Sequence, residues 1–350
     1  MKILYSFNKR GYEARFWTRE IAAASSENLT FIPFNHDPYL DTSLYLRAQE
    51  LDHRYFDRHP GLMRLYSDVE RRVRDESIDV LFVDNCPPYH PDWLATLPVY
   101  KVLRTSDGPV TAYDRDIPYV HAYDHVFFHS PAYSRDMDME QKLRYVGAKR
   151  ADFLPLGLFD AAFDPAASEQ EVMAGTRDVD VVFIGAQYIN KMPLFAKVKK
   201  ALGRRCRLHG LSNLKRNLYF NLKFGSPGWV SAVAFEQYMP LYRRAKIGFN
   251  VHNRGKYTVG SFRLFELPAN GVMQISDGGE YLDRFFKTGE EIVNYETTDE
   301  LVDKILYYLD REEERVRIAR NGYRRVIGEY RFRDVVQRAG ELITTGLKST

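Results

Sequence analysis

Residues 260–277, GSFRLFELPANGVMQISD, decide how this chain is read. Gly260 and Ser261 open a short apolar helix that carries Arg263 and Glu266 one turn apart. The helix stops at Asn270-Gly271 and hands over directly to a strand. A helix start leaves N–H groups unpaired and bears partial positive charge, so the start opened by Gly260 and Ser261 suits an anion such as a phosphate. Glu266 lies a turn inside, where its carboxylate would accept hydrogen bonds from sugar hydroxyls beside that phosphate. The stretch is a candidate nucleotide cradle. The plainer alternative is an ordinary helix-to-strand connection with a solvated Glu266.

The surrounding chain has room for such a site. Its 350 residues exceed the roughly 250–300 at which single cores stop growing, so two domains are expected. With 45% hydrophobic and 28% charged residues, the composition is globular. A net charge of +3 is too weak a bias to argue for a nucleic-acid partner, though it suits a phosphate-bearing ligand or an acidic membrane surface. Two cysteines, Cys86 and Cys206, are expected in different domains and make neither a disulfide framework nor a zinc site. MKILYSF lacks the pattern of a signal peptide, and no apolar run approaches the roughly 20 residues of a membrane span. The expected location is cytoplasmic, with a peripheral contact at the inner membrane's cytoplasmic face as an open addition.

In the first half, Lys2–Phe7 reads as a buried strand that ends at Asn8-Lys9-Arg10-Gly11-Tyr12. Open α/β sheets hold ligands at such strand ends, which makes Asn8, Arg10 and Gly11 candidates for an acceptor-side cleft loop. The alternative is a plain connection. A helix over 13–24 and a strand over 29–34 follow. Residues 43–76 have helical period and carry Arg64, Arg71, Arg72 and Arg74, a solvated face or a membrane or acceptor contact. Val80–Asp84 and 99–104 read as further strands. The latter runs into Thr105-Ser106-Asp107-Gly108-Pro109, where Asp107 is the candidate for acid/base or acceptor-orienting work, or else a helix cap. A strand over 125–130 and a helix over 133–146 complete a doubly wound parallel sheet.

Residues 151–178, rich in Pro, Gly and small residues at their start, read as an interdomain linker between domains at 1–150 and 179–330. The second series opens with strand Val179–Ile184 and the turn at Gly185. Lys191 lies near the next helix, either neutralising a phosphate or sitting on a helix surface. A strand at 207–210 leads to the basic, aromatic segment 211–230, interfacial or simply packed on its own domain. Within it, GSPGW at 225–229 offers its backbone or the Trp229 ring to a base. A strand over 246–252 ends at Asn253-Arg254-Gly255-Lys256, bringing two cations toward the cradle. Residues 281–347 read as covering helices, the last, 331–350, with a return toward the first domain as one option. Asp114/Asp116, Asp136/Asp138 and Asp178/Asp180 spell the spacing by which some sugar transferases hold a metal. None closes a buried strand, so no essential divalent ion is expected.

Together these segments resemble glycosyltransferases of the GT-B type: α/β, with two Rossmann-like, doubly wound parallel-sheet domains facing across a cleft. The likeness is to the spore-maturation CgeB-like group and, more distantly, to family 4 of retaining transferases. It rests on FLPLGLFDAAF, VVFIGAQYINK, YRRAKIGFNVHNRG, FRLFELPANGVMQISD, FFKTGEEIVNYETTDELVDKILYYL and ARNGYRRVIGEY, in that order. The resemblance implies a cytoplasmic enzyme of glycan biosynthesis moving a sugar from a nucleotide diphosphate sugar to a glycan, lipid-linked, protein or small-molecule acceptor. It implies that Gly185 and Lys191 form the glycine turn and phosphate-binding lysine, and that Gly260, Ser261 and Phe262 line the diphosphate site. It aligns Glu266 with the second glutamate of the family 4 motif, a residue that typically binds the ribose. The first glutamate would fall at Thr258, and Ala186 stands where an arginine is usual, leaving Arg263 or Arg254 to supply that charge. Asp107 lies near a position where family 4 often has histidine. The rivals are a nucleotide-binding scaffold without turnover, which Thr258 favours, and a nucleotide-sugar epimerase.

Overall fold

The computed structural model describes residues 1–41, 46–84, 87–105, 112–186, 188–210, 213–225, 230–252, 257 and 259–347. The chain divides into two compact units. One is Met1–Leu156 with Phe332–Thr350; the other is Gly157–Arg331.

The first unit is built on a six-stranded parallel sheet. Its strands are β1 (Lys2–Phe7), β2 (Thr30–Asn35), β3 (Val80–Asp84), β4 (Tyr100–Thr105) and β5 (His125–Phe128), with a two-stranded hairpin, β6 (Ala132–Ser134) and β7 (Met137–Asp138), standing apart. Strand β8 (Ala151–Phe153) completes the order β2-β1-β3-β4-β5-β8. Helices cover both faces of a parallel sheet, so its central strands are apolar throughout rather than alternating, and all five residues of β3 are buried. The Pro60–Asp75 helix buries Leu62, Leu65, Tyr66, Val69 and Val73, spaced to form one stripe.

Three differences from the sequence reading have local causes. Residues 43–76 do not form one helix. Ala48–Phe56 ends before Arg58, which has φ 53°, and Pro60 starts a second helix. The expected helix over 133–146 forms only from Met139, because Asp138 caps it by accepting from the Gln141 N–H at 2.7 Å and the residues before it turn back as a hairpin. Ala151–Phe153, read as the start of the linker, instead pairs with β5 as the edge strand of the first sheet. The linker assignment therefore begins too early.

Two features close this unit. The Phe332–Leu347 helix lays Phe332, Val335, Val336, Ala339 and Ile343 inward. Phe332 packs against Trp17 at 5.3 Å between ring centroids, and Gly340 leaves room for Leu29 and Phe31. In the sheet itself, the buried Tyr5 hydroxyl donates to Asp84, and Arg104 donates to the same carboxylate at 3.1 Å. Burial, then the charge of Asp84, pushes the Tyr5 phenol far up. Arg104 also donates to the carbonyls of Pro155 and Leu156 at 2.9 and 2.7 Å, fastening the chain where it leaves the unit.

The second unit holds a five-stranded parallel sheet. Its strands are β9 (Val179–Ile184), β10 (Cys206–His209), β11 (Ala245–Asn250), β12 (Met273–Ser276) and β13 (Val293–Asn294), in the order β10-β9-β11-β12-β13. Gly248, inside β11, has no side chain because Leu267 of the Arg263–Ala269 helix occupies that space. The helix thus lies directly on the central strand. Asp178 and Asp180 are held in ion pairs, the first with Arg244 and the second with Lys246 and Arg205.

Candidate functional site

In the second sheet the chain leaves β9 for β10 on one side, then returns past β9 to β11 on the other. Where strand order reverses in this way, a crevice opens outside the carboxyl ends of the two strands, the usual ligand position in open α/β sheets. Ser261, Arg263 and Asp277 of the 260–277 segment gather at that point.

Arg263, in the first turn of its helix, bridges the reversal. Its Nε donates to the Ile184 carbonyl at the end of β9 at 2.5 Å, and its Nη1 to Asn250 Oδ1 at the end of β11 at 2.6 Å. The guanidinium lies over the Phe183 ring, 4.5 Å from its centroid. A Cβ on Gly185 would fall on that guanidinium, so the turn is a glycine because the arginine comes so close. Lys191 crosses the same gap: it is 4% exposed and its Nζ donates to the Val251 carbonyl at 2.7 Å. Burial and then the charge of Arg263 lower its ammonium from 10.5 to about 7, against the pull of Asp277.

The neighbouring strand ends add a fixed polar chain. His252 donates its backbone N–H to both oxygens of Asp277 at 3.0 Å, and its Nδ1–H to the same carboxylate at 2.7 Å. That leaves Nε2 to accept from Asn250 Nδ2 at 3.4 Å, while the same amide reaches Ser261 Oγ at 3.2 Å. Tyr295 donates to the Asn250 carbonyl at 3.0 Å. Glu266 is buried and accepts from the Tyr242 hydroxyl at 3.3 Å. Burial raises its carboxyl from 4.5 to about 7, with Arg263 and then the Tyr242 hydrogen bond acting in the opposite direction.

The structure therefore brings together Gly185, Lys191, Gly260, Ser261, Arg263 and Glu266 in one unit, with Phe262 packed on Phe159 at 5.4 Å. It changes how two of them work, and how much charge the helix start offers. Lys191 is buried rather than on a helix surface. Arg263 supplies its charge while tied to the ends of two strands. The helix is seven residues long, under two turns, so the charge at its start is smaller than a long helix would give. Asp107, Trp229, Arg254 and Thr258 lie outside the described residues. In the first unit, Gly11 opens the Gly11–Ala23 helix, and the loop before it is tied to the end of β2. Lys9 and Asn35 exchange hydrogen bonds, and Arg10 Nε donates to both oxygens of Asp37 at 2.8 and 2.7 Å. Asn8 precedes this tie. Asn250, His252, Asp277 and Tyr242 were missed from sequence. The usable signal for the first three was a polar residue closing, or just after, an apolar strand.

A glycosyl transferase-like family model matches residues 192–341. No curated protein is matched by the sequence. Among solved structures, sucrose-phosphate synthase from Thermosynechococcus elongatus aligns with a TM-score of 0.65 at 14% identity, over 100% of each chain. Anabaena Alr3699/HepE, in complex with UDP and glucose, aligns at 0.63 and 11% identity, over 99% of this chain and 100% of that one. A glycosyltransferase from Rickettsia africae aligns at 0.60 and 12%, over 100% of this chain and 99% of that one. At such identities the likeness is one of fold. The fold is GT-B, and residues 192–341 are similar to the glycosyl transferase-like family.

Proposed function

We propose that this protein is a glycosyltransferase that takes its sugar from a nucleotide diphosphate sugar bound on the second unit. The observation that carries the reading is the bridging of the β9/β11 reversal by Lys191 and Arg263, with Glu266 buried one turn further along the same helix. Two basic side chains at a strand-order reversal suit a diphosphate, and a carboxylate one turn on suits the ribose hydroxyls beside it.

In the reaction an acceptor hydroxyl oxygen forms a bond to the anomeric carbon of the donor sugar. The bond from that carbon to the diphosphate breaks, and the nucleoside diphosphate leaves with the electron pair. The acceptor's proton passes to a base, for which Asp107 is the candidate. Lys191, protonated once an anion faces it, and Arg263 stabilise the charge on the leaving diphosphate without a metal ion. Trp229 and Arg254 are assigned to the base and the phosphates. Asn8, Arg10 and Gly11 are assigned to the acceptor, a carbohydrate-bearing or other hydroxyl compound. The transferred group is of hexosyl type.

A thermal-shift panel of UDP, GDP, ADP, CDP and dTDP, each with and without magnesium, tests the donor site, since a ligand bound only by the folded state raises apparent stability. UDP comes first because the Anabaena protein of the same fold holds UDP. One nucleotide is expected to stabilise the protein without metal, and Glu266→Ala to remove that shift while leaving the fold intact. Turnover lost in chelator and restored by manganese would overturn the metal-independent mechanism. Thr258, in place of the family 4 glutamate, favours a second reading: a nucleotide-binding protein without turnover. Nucleotide binding with no sugar release, to any acceptor or to water, would establish that reading. Conversion of the donor sugar without an acceptor would identify an epimerase.

A further inference from the structure

We propose that the Leu214–Phe224 helix docks the second unit on an anionic lipid surface. The inference does not rest on the transfer reaction. This helix is capped at both ends: Asn213 accepts from the Arg216 N–H at 2.9 Å, and Gly225 closes it in the left-handed conformation at φ 58°. Its inner face is anchored. Phe220 is buried in the core, and Asn217 exchanges hydrogen bonds with the Val230 backbone at 3.0 and 3.2 Å.

The outer face is apolar where a surface helix is ordinarily polar. Leu214, Leu218 and Leu222, spaced four apart, are 73%, 52% and 79% exposed. Scattered exposed leucines need no explanation, but three on one stripe of an anchored helix do. The neighbouring stripe is Lys215, Tyr219 and Lys223, with Lys223 donating to the Tyr219 hydroxyl at 2.8 Å. Leucines flanked by a tyrosine and lysines match the depth profile of an interface. The leucines enter the acyl boundary, the tyrosine sits at headgroup level, and the lysines keep their charge in the headgroups.

Charge selects the partner. Between residues 181 and 235 the chain has ten lysines and arginines and not one aspartate or glutamate. Since the whole chain is only +3, the remainder is net acidic. Several of these cations are engaged elsewhere: Lys191 is buried, Lys197 pairs with Asp299, and Arg205 pairs with Asp180. Lys200, Arg204, Arg207, Lys215 and Lys223 are exposed, and Arg207 stands on β10, the edge strand of the sheet. A basic region holding a leucine stripe has the two signals, apolar insertion and electrostatic attraction, that a reversible membrane contact needs. A phosphate backbone alone would leave the leucines in water.

The test is flotation of the full chain with vesicles of phosphatidylcholine and phosphatidylglycerol in equal parts, against vesicles of phosphatidylcholine alone. Binding is expected to the mixed vesicles only, and to weaken with salt. Leu218→Glu with Leu222→Glu is expected to reduce it about tenfold or more. Each of Lys215→Glu and Lys223→Glu is expected to reduce it about fivefold or more, the worth of one basic residue near such a surface. The exposed positions predict unchanged thermal unfolding and nucleotide binding in these variants. Failure of the wild-type chain to float would overturn the proposal, as would binding indifferent to the leucine substitutions. Dimerisation in light scattering that is abolished by Leu218→Glu, without vesicle binding, would overturn it and give the face to a second copy.

Discussion

Lys191→Met is expected to make the ligand-free protein more stable and to disable its donor site. Methionine keeps the length and apolar stem of the side chain and deletes its charge. Burial beside Arg263 lowers the Lys191 ammonium from 10.5 to about 7. Each unit of such a shift is worth about 1.4 kcal/mol, so holding this lysine in the fold near neutral pH costs about 4–5 kcal/mol. Removing it forfeits the 2.7 Å bond to the Val251 carbonyl, worth about 1–3 kcal/mol when the acceptor is left unpaired. The net expectation is a gain of about 2 kcal/mol in urea denaturation at neutral pH. The sign follows from the direction of the shift. With the folded pKa below the unfolded one, the penalty is complete below about 7 and fades as pH rises toward 10.5. The advantage of the variant should shrink over that window and reverse at its upper end. In titration calorimetry the same variant should bind the preferred nucleoside diphosphate about ten- to a hundredfold more weakly, having lost one charge-assisted contact. A variant less stable than wild type at neutral pH, a gap that does not change with pH, or undiminished nucleotide binding would refute the reasoning.

Glu266, raised from 4.5 to about 7, holds a proton in the fold that the unfolded chain releases, so its contribution to stability is full below 4.5 and lost as pH rises through about 7. Glu266→Gln should flatten that slope in urea melts while weakening nucleotide binding above neutrality. Gly185→Ala places a methyl group on the Arg263 guanidinium and should abolish the nucleotide-induced thermal shift; an unchanged shift would mean that the Arg263 bridge is dispensable. Asp84→Ala leaves Arg104 buried without its carboxylate and should cost about 3–5 kcal/mol in chemical denaturation, with nucleotide affinity unaffected in the fraction that remains folded.

The parallel sheets were legible because buried parallel strands are short, continuous apolar runs. Lys2–Phe7, Val80–Asp84 and Val179–Ile184 stand in the structure with the bounds read from sequence. Ala151–Phe153 was not legible. A three-residue edge strand beside a proline has no periodicity, and its pairing with β5 is set by tertiary contact. In the site, the helix of residues 263–269 and its stop at Asn270-Gly271 could be read from glycine, asparagine and apolar spacing. The environment of Lys191 could not, because burial depends on which strand lies opposite. The engagement of Arg263 with Ile184 and Asn250 depends likewise on a strand order that no local pattern encodes.

The division of the chain also sets an order of events during synthesis. Domains ordinarily fold as units, the amino-terminal one first, as the chain leaves the ribosome. Here the first unit includes the Phe332–Leu347 helix, whose Phe332 faces Trp17 and whose Gly340 admits Leu29 and Phe31. That helix is translated only after all of Gly157–Arg331. The six-stranded sheet must therefore wait, with the surface of Trp17, Leu29 and Phe31 uncovered, while the later-made unit already has every residue it needs. The unit that begins first is the one that finishes last, and a nascent chain stalled before Phe332 would present that apolar surface to chaperones.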